Sequence, residues 1–412
     1  MQPKVYLVSD HEINSNLIDA DALYILKKLR EAGFIAYLVG GSVRDLLVNK
    51  VPKDFDISTS ARPEQIKALF TRSCILIGRR FRLAHIRFGH KIIEVSTFRS
   101  GDNESDLILQ DNQWGTPEQD VLRRDFTVNG LFYDPTDHSI IDYVGGWEDI
   151  HKNVLRTIGD AESRFKQDPV RMIRLLKFRA RFGFQIAPEA RQALINCREE
   201  ILKSSQARIL EEVLRMLESG ASAPFFNLLK ESGLLKLLFS KLAHFLAGEK
   251  GKELMLLLTA ADKIHSLDRK NVMDRSVLGG CLIFPLLQKE LQSEYLDRKQ
   301  TPHMGDIILS TGTVIKDFEL DSFSQLPRRL TAAIASILAT QYRLTPPSGK
   351  RHHHPKILKH KDFPLALEFL KLRAMVDKSL IEVYQSWRDS YRQYERQSDR
   401  RGQNHHQNPH RG

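Results

Sequence analysis

Hydrophobic and polar positions along the chain follow two different rhythms. In the first ~150 residues the pattern is mixed. Ile18–Ala32 carries apolar residues at helical spacing and stops at Gly33, which predicts a helix with a glycine end. Phe34–Val39 is apolar and aromatic and runs into Gly40-Gly41, so it reads as a strand. Phe55–Ile57 alternates as a short strand does, and Pro63 opens a helix that runs through Phe70. Ala84–Phe88 and Ile92–Phe98, either side of Gly89-His90, predict a hairpin. After Asp160 the rhythm becomes almost wholly helical, with Val170–Phe182, Glu189–Ile201, Ala207–Leu217, Phe225–Glu231 and Glu253–Ile264 as the clearest segments. No repeat of fixed period is present. The expected fold class is α+β: a small α/β head with a mixed sheet, then a long all-helical neck and body.

The chain has 412 residues, 42% hydrophobic and 27% charged, which suits several folded units and excludes a fibre or a wholly disordered chain. Three widely spaced cysteines, Cys74, Cys197 and Cys281, support neither a disulfide framework nor a zinc site and point to a reducing compartment. The N-terminus lacks the basic start and apolar core of a signal peptide, and the apolar runs near Leu254–Ala260 and Leu278–Leu287 are far too short to span a bilayer. The expectation is a cytoplasmic protein.

The net charge of +11 suggests a polyanionic partner, and it is uneven. From Arg343 onward there are 15 Lys and Arg against 7 Asp and Glu, with seven of the 15 histidines. From about Arg396 no apolar residue remains to be buried, which predicts a disordered basic tail. A solvated terminus of no consequence is the plain alternative. The aromatics Tyr384, Trp387, Tyr391 and Tyr394 interleave with Arg388, Arg392 and Arg396, a pattern suited either to gripping RNA or to packing a helix on the body. His352-His353-His354 has no partner ligands at useful spacing and is read as surface.

The chemistry concentrates in Tyr37-Leu-Val-Gly-Gly-Ser-Val-Arg-Asp-Leu-Leu47 and in Asp54-Phe-Asp56, nine residues past Asp45. A strand running into Gly40-Gly41 lets backbone N–H groups approach a polyphosphate, and a helix starting near Ser42 adds its positive end. Arg44, one turn in, could reach the same phosphates with its fork. Asp54 and Asp56, two apart on the predicted strand, would share one face, where their repulsion makes sense if Mg²⁺ sits between them. Chance alone supplies roughly six acid-x-acid triplets in such a chain, so the triplet means nothing without the ordered strand, glycines and Arg-Asp helix before it.

That ordered set resembles the head of the template-independent nucleotidyltransferases, the bacterial poly(A) polymerases and CCA-adding enzymes. Arg123-Arg124-Asp125-Phe-Thr-Val-Asn129 is similar to the family's second head motif, Asp142-Tyr-Val-Gly-Gly146 follows, and Asp168-Pro-Val-Arg171-Met-Ile-Arg174 resembles the neck helix that reads the incoming base. The resemblance covers about Phe34–Phe184, weakens through the helical body and revives over Arg351–Ser390. Two departures stand out: Ser42 replaces a small Gly or Ala, and Gln167 replaces an acid. Leu76–Phe88 is similar to the segment that separates poly(A) polymerases from CCA-adding enzymes. From Arg72 to Arg99 seven basic residues, Arg79, Arg80, Arg82 and Arg87 among them, face one acid, Glu94. That basic ribbon suits the phosphates of an RNA 3′ end.

The resemblance implies a head over 1–150, a base-reading and RNA-binding neck over 151–220, a body over 221–342, a basic RNA-binding helical region over 343–395 and the tail over 396–412. It implies a Mg²⁺-dependent poly(A) polymerase that transfers AMP from ATP to RNA 3′ ends by a two-metal in-line reaction, with roles in mRNA polyadenylation and RNA turnover. Asp54 and Asp56 are the expected metal ligands. The third carboxylate is open: the family motif selects Asp125, whereas Glu94, on a strand able to pair beside the Asp-x-Asp strand, is favoured by geometry. Gly40, Gly41, Ser42, Arg44 and Arg124 would hold the nucleotide, with Asp168 and Arg171 on the base edge and Arg174 in support. A CCA-adding enzyme on the same scaffold and an inactive RNA-binding descendant are the rivals. The default assembly is a monomer.

Overall fold

The computed structural model describes residues 2–78, 83–100, 113–268, 272–323, 325–346 and 355–406, in two compact units, Met1–Glu200 and Ile201–Gly412. Arg79, Arg80, Arg82 and His352–His354 lie outside the described residues.

The first unit is built on an eight-stranded mixed sheet. Its strands are β1 (Lys4–Tyr6), β2 (Ala36–Val39), β3 (Asp56–Thr59), β4 (Cys74–Ile77), β5 (Leu83–Phe88), β6 (Lys91–Thr97), β9 (Leu131–Asp134) and β10 (Ser139–Asp142); Arg99–Ser100 (β7) and Gln113–Trp114 (β8) form a separate small pair. The spatial order is β1-β10-β9-β2-β3-β6-β5-β4, and every pairing is antiparallel except β3 with β6. The predicted hairpin is present, with Phe88 opposite Lys91 and Gly89 turning at φ 59°.

Register decides which face does what. Leu38, Ile57, Val95 and Ala84 form one row across four adjacent strands and are fully buried. Helices α1 (Ala20–Glu31) and α3 (Pro63–Leu69) cover that face, burying Ile25, Leu26, Leu29 and Ile66. Asp19 caps α1 through its side chain, and Pro63 occupies the first turn of α3, as its sequence position predicts. One step along each strand, the row Val39, Asp56, Glu94 and His85 points to the opposite face.

The strand carrying the acidic pair is shorter than its alternation suggests. It starts at Asp56, so Asp54 lies in the loop before it rather than on the ladder. The cause is the neighbour: β2 ends at Val39, opposite Asp56, because Gly40 turns at φ 69° into α2 (Gly41–Leu47), and no β2 residue remains to pair with Asp54.

Beyond α4 (Pro117–Leu122) and α5 (Gly146–His151), helices α6 (Ala161–Gln167), α7 (Val170–Phe182) and α8 (Pro188–Cys197) belong to the first unit. α7 has the bounds its periodicity predicts and ends at Gly183 with φ 74°. Polar bonds tie α6 and α7 to the end of α4 and the segment after it: Arg174 pairs with Asp125, and Arg164 donates to the carbonyls of Leu122 and Arg124.

The second unit is helical. Helices α9 (Gln206–Leu217), α10 (Ser222–Ser232), α11 (Leu234–Leu238), α12 (Ser240–Ala247) and α13 (Gly251–Leu267) lead to α14 (Arg275–Leu291), which is buried on nearly every side. The apolar run at Leu278–Leu287 is therefore a core helix, enclosed by α13, α15 (Met304–Asp321) and α16 (Arg328–Leu344). Among the described residues no helix is long and apolar enough to cross a membrane.

α17 (Pro355–Leu358), α18 (Phe363–Val376) and α19 (Ile381–His406) complete the unit. Trp387 is 3% exposed, donates Nε1–H to the Leu344 carbonyl and packs in a cluster with Phe363, Leu367 and Val383, against which Tyr384 and Tyr391 lie. Of the two readings open for this aromatic stripe, packing is the one the fold adopts. Arg392 and Arg396 remain exposed.

Candidate active site

Gly40 joins β2 to α2, and a side chain there is excluded twice over. Its φ of 69° disfavours any L residue, and a Cβ would sit 3.1 Å from Arg124 Nη1. Backbone and guanidinium thus come together at one end of the polar face. Ser42 is buried and donates its hydroxyl to the Val39 carbonyl, tying the turn to the strand rather than capping the helix. α2 spans seven residues, so its dipole is a modest addition.

Arg124 reaches from the end of α4 across the floor of the site. Its Nη2 donates to Asp120, one turn earlier, and to Ser58 Oγ on β3 at 3.3 Å. Its Nε has no acceptor among the described residues. A cation held in this way, above glycine backbone, suits an anionic group.

Asp56 and Glu94 are direct register partners on parallel strands and share this face. Asp56 is open outward, yet the protein around it withholds water from the carboxyl. That desolvation, with the charges of Glu94 and Asp54 and against the pull of Arg124, raises it to about 6. On its other side Glu94 meets His85, with Nε2 3.4 Å from Oε1. Arg87, exposed two residues along β5, points to the same face.

Two of the expected site residues, Arg44 from the nucleotide set and Asp125 from the carboxylates, turn inward. Arg44 is 4% exposed, with Nε and Nη2 on Asp45 at 2.9 and 2.6 Å and Nη1 on Asn129. Its plane lies against Phe178 and Phe182, 4.9 and 4.5 Å from the ring centroids. Burial lowers its pKa, while Asp45 opposes the shift.

Asp125 is equally committed. Its carboxylate accepts from Arg174 Nε at 2.8 Å and Nη2 at 2.7 Å, from Asn129 Nδ2 at 2.9 Å and from the Phe126 N–H at 2.8 Å. Burial alone would raise this group, but Arg174 and the other donors outweigh it and hold it at about 2. Arg44, Asn129, Asp125 and Arg174 form one chain of bonds from α2 to α7, and in this chain Asn129 is the link that periodicity and spacing do not single out.

Asp168 lies between α6 and α7. The N-cap of α7 is Pro169, so Asp168 stands one residue before the cap. Arg171 donates to the Arg123 carbonyl at 3.2 Å and the Arg164 carbonyl at 3.4 Å, which brings the neck helix beside the Arg-Arg-Asp segment. Asp142 accepts from the N–H groups of Val144, Gly145, Gly146 and Trp147, so the Asp-Tyr-Val-Gly-Gly motif builds the start of α5.

The poly(A) polymerase head-domain family matches residues 36–156, "Probable RNA and SrmB- binding site of polymerase A" matches 183–246, and the polymerase A arginine-rich C-terminus matches 317–411. Poly(A) polymerase I of Salmonella typhi is 35% identical over 384 residues, spanning 90% of this chain and 81% of that protein. The chain belongs to the poly(A) polymerase family. It is a nucleotidyltransferase by that membership. A CCA-adding enzyme of Lactobacillus johnsonii is 37% identical, but over 52% of this chain and 54% of its own length. The CCA-adding enzyme of Bacillus stearothermophilus, solved with CTP, superposes with a TM-score of 0.63 at 25% identity, covering 90% of this chain and 82% of that one.

Family membership bears on metal. Among the described residues no three acidic, histidine or cysteine side chains form a ready-made cage. Mg²⁺ seldom needs one, because it is commonly held by one or two carboxylates together with substrate phosphates and water. Asp56 fits that donor set: its carboxyl is raised first by desolvation and then by the charge of Glu94, and a cation would offset both.

Proposed function

We propose that the chain is a poly(A) polymerase that adds AMP from ATP to RNA 3′ ends without a template. The observation carrying this reading is the adjacency of Asp56 and Glu94 on the face that ends at Gly40 and Arg124. The RNA 3′-hydroxyl oxygen forms a bond to the α-phosphorus of ATP, the bond to the bridging oxygen breaks, pyrophosphate leaves and the hydroxyl proton passes to solvent water. Asp54 and Asp56 would hold Mg²⁺, with Glu94 as the third carboxylate. Bound there, two Mg²⁺ ions would lower the pKa of the attacking hydroxyl and steady the charge on the leaving group.

The chain's own residues bind and orient. Arg124 and the Gly40-Gly41 backbone take the triphosphate. Asp168 and Arg171, at the start of the neck helix, present an acceptor and a donor to the base edge. Asp125 acts through Arg174 and Asn129 rather than on the reacting atoms. Arg44 braces the same network from below, and Arg87 lies on the path of the RNA phosphates.

ATP is favoured over CTP as substrate because relatedness to poly(A) polymerase I spans 90% of the chain, whereas CCA-adding relatives at 31–37% identity match 52–66% of it. Tailing of mRNA and RNA turnover follow as cellular roles. The test is incorporation of labelled AMP into an unstructured RNA with Mg²⁺. The reading requires incorporation by the parent, and near-complete loss in both Asp56→Asn and Glu94→Gln. An active Asp56→Asn would refute it.

A further inference from the structure

Glu94 faces a problem that Asp56 does not. Asp56 starts a strand paired on both sides and has a short side chain. Glu94 has one more rotatable bond, is 50% exposed, and stands beside a carboxylate that repels it. Left alone it would swing toward solvent and away from the Asp56 row.

What meets it there is His85. The register of the β5–β6 hairpin puts His85 directly opposite Glu94, on the side away from Asp56, so the three side chains follow one another across β3, β6 and β5. The histidine side chain is 18% exposed, and its Nε2 lies 3.4 Å from Glu94 Oε1. Its backbone is fixed by pairing on both sides, with Ile75 of β4 next in the row, and the hairpin closes over two residues. An imidazole so held has little freedom. Exposed polar contacts of this kind usually contribute little. This one differs because one member belongs to the carboxylate set and the other to the rigid sheet.

We propose that His85 is the positioning residue for Glu94: with hydrogen on Nε2 it donates to the carboxylate and keeps it aligned in the row, ready to share a cation with Asp56. The proposal rests on Glu94 being the third carboxylate. Donors that hold ligating side chains are typically worth about 10–100-fold in metal affinity or activity.

The test compares His85→Leu, which removes the donor, His85→Gln, which restores an N–H at similar reach, Glu94→Gln, and the double variant His85→Leu/Glu94→Gln, all in the full chain. Mn²⁺ affinity is measured by electron paramagnetic resonance with a non-hydrolysable ATP analogue, beside kcat and KM for ATP. His85→Phe stands in should His85→Leu not fold. The expected result is a loss of about 10–100-fold in Mn²⁺ affinity and kcat for His85→Leu with KM unchanged. Recovery is expected in His85→Gln, and the double variant should be no worse than Glu94→Gln. His85→Leu behaving like the parent, or its loss adding in full to that of Glu94→Gln, overturns the proposal alone. A Glu94→Gln variant that binds Mn²⁺ and turns over like the parent overturns the Glu94 assignment itself, and the proposal with it.

Discussion

Asp56 and Glu94 are neighbours on parallel strands, directly in register, and their mutual repulsion is part of what lifts Asp56 to about 6. Such a pair is costly to the metal-free fold and useful only with a cation between or beside it. The folded chain therefore holds the Asp56 proton more tightly than the unfolded chain, whose value is near 3.8. Stability from this group is complete below about 4 and is lost as pH rises through about 6. Asp56→Asn has no such dependence. Its Tm advantage over the parent should grow from pH 4 to about 6, level off above, and vanish on adding Mg²⁺ with ATP, while activity falls roughly 10³-fold or more. Scanning calorimetry at several pH values reads the first effect.

Asp125 predicts the opposite sense. Held at about 2 by Arg174, Asn129 and the Phe126 N–H, it contributes stability that is fully present above 3.8 and is lost as pH falls toward 2. Asp125→Ala leaves Arg174 without this partner and should destabilise the first unit by about 3–5 kcal/mol in urea titration. The corresponding Asp54→Ala should unfold at the parent's urea midpoint and yet be inactive.

Arg44 separates charge from shape. Its fork bonds Asp45 and Asn129 and its plane lies on Phe178 and Phe182, an arrangement that a lysine cannot reproduce. Arg44→Lys should cost about 1–3 kcal/mol despite keeping the positive charge. A lysine that matches the parent in urea titration would mean the stacked network contributes nothing.

In α19 the aromatic and basic residues should part company. Trp387→Ala removes a buried core residue and should cost about 3–5 kcal/mol. Replacing exposed Arg392 and Arg396 with alanine should leave Tm unchanged. It should weaken RNA binding and flatten its salt dependence by about 0.7 in log–log slope for each RNA phosphate no longer neutralised.

Elements with strong local signals were legible in the sequence: α7 residue for residue, the β5–β6 hairpin from its Gly-His step, and the pairing of the Glu94 strand beside the acidic one. What escaped depended on partners distant in the chain. Asp54 fell off the strand because β2 turns away at Gly40, which the alternation around Phe55 cannot reveal. Nothing near Arg44 in the chain announces Phe178 and Phe182, against which the fold lays its guanidinium. The different settings of Asp125 and Glu94 also depend on distant partners: the Asp125 carboxylate is bonded to Arg174, whereas Glu94 lies in register with Asp56. The α19 aromatics have the same spacing whether they stack on bases or on Phe363.

Nucleotide choice separates poly(A) addition from CCA addition. The purified chain is given Mg²⁺ and each labelled triphosphate separately, with an unstructured RNA or a tRNA lacking its 3′ end, and Asp54→Ala as the control. A poly(A) polymerase should give long tails from ATP alone on both RNAs, absent in the variant. Addition of two C and one A confined to the tRNA would contradict it, leaving the carboxylate chemistry in place but assigning the chain to the CCA-adding branch.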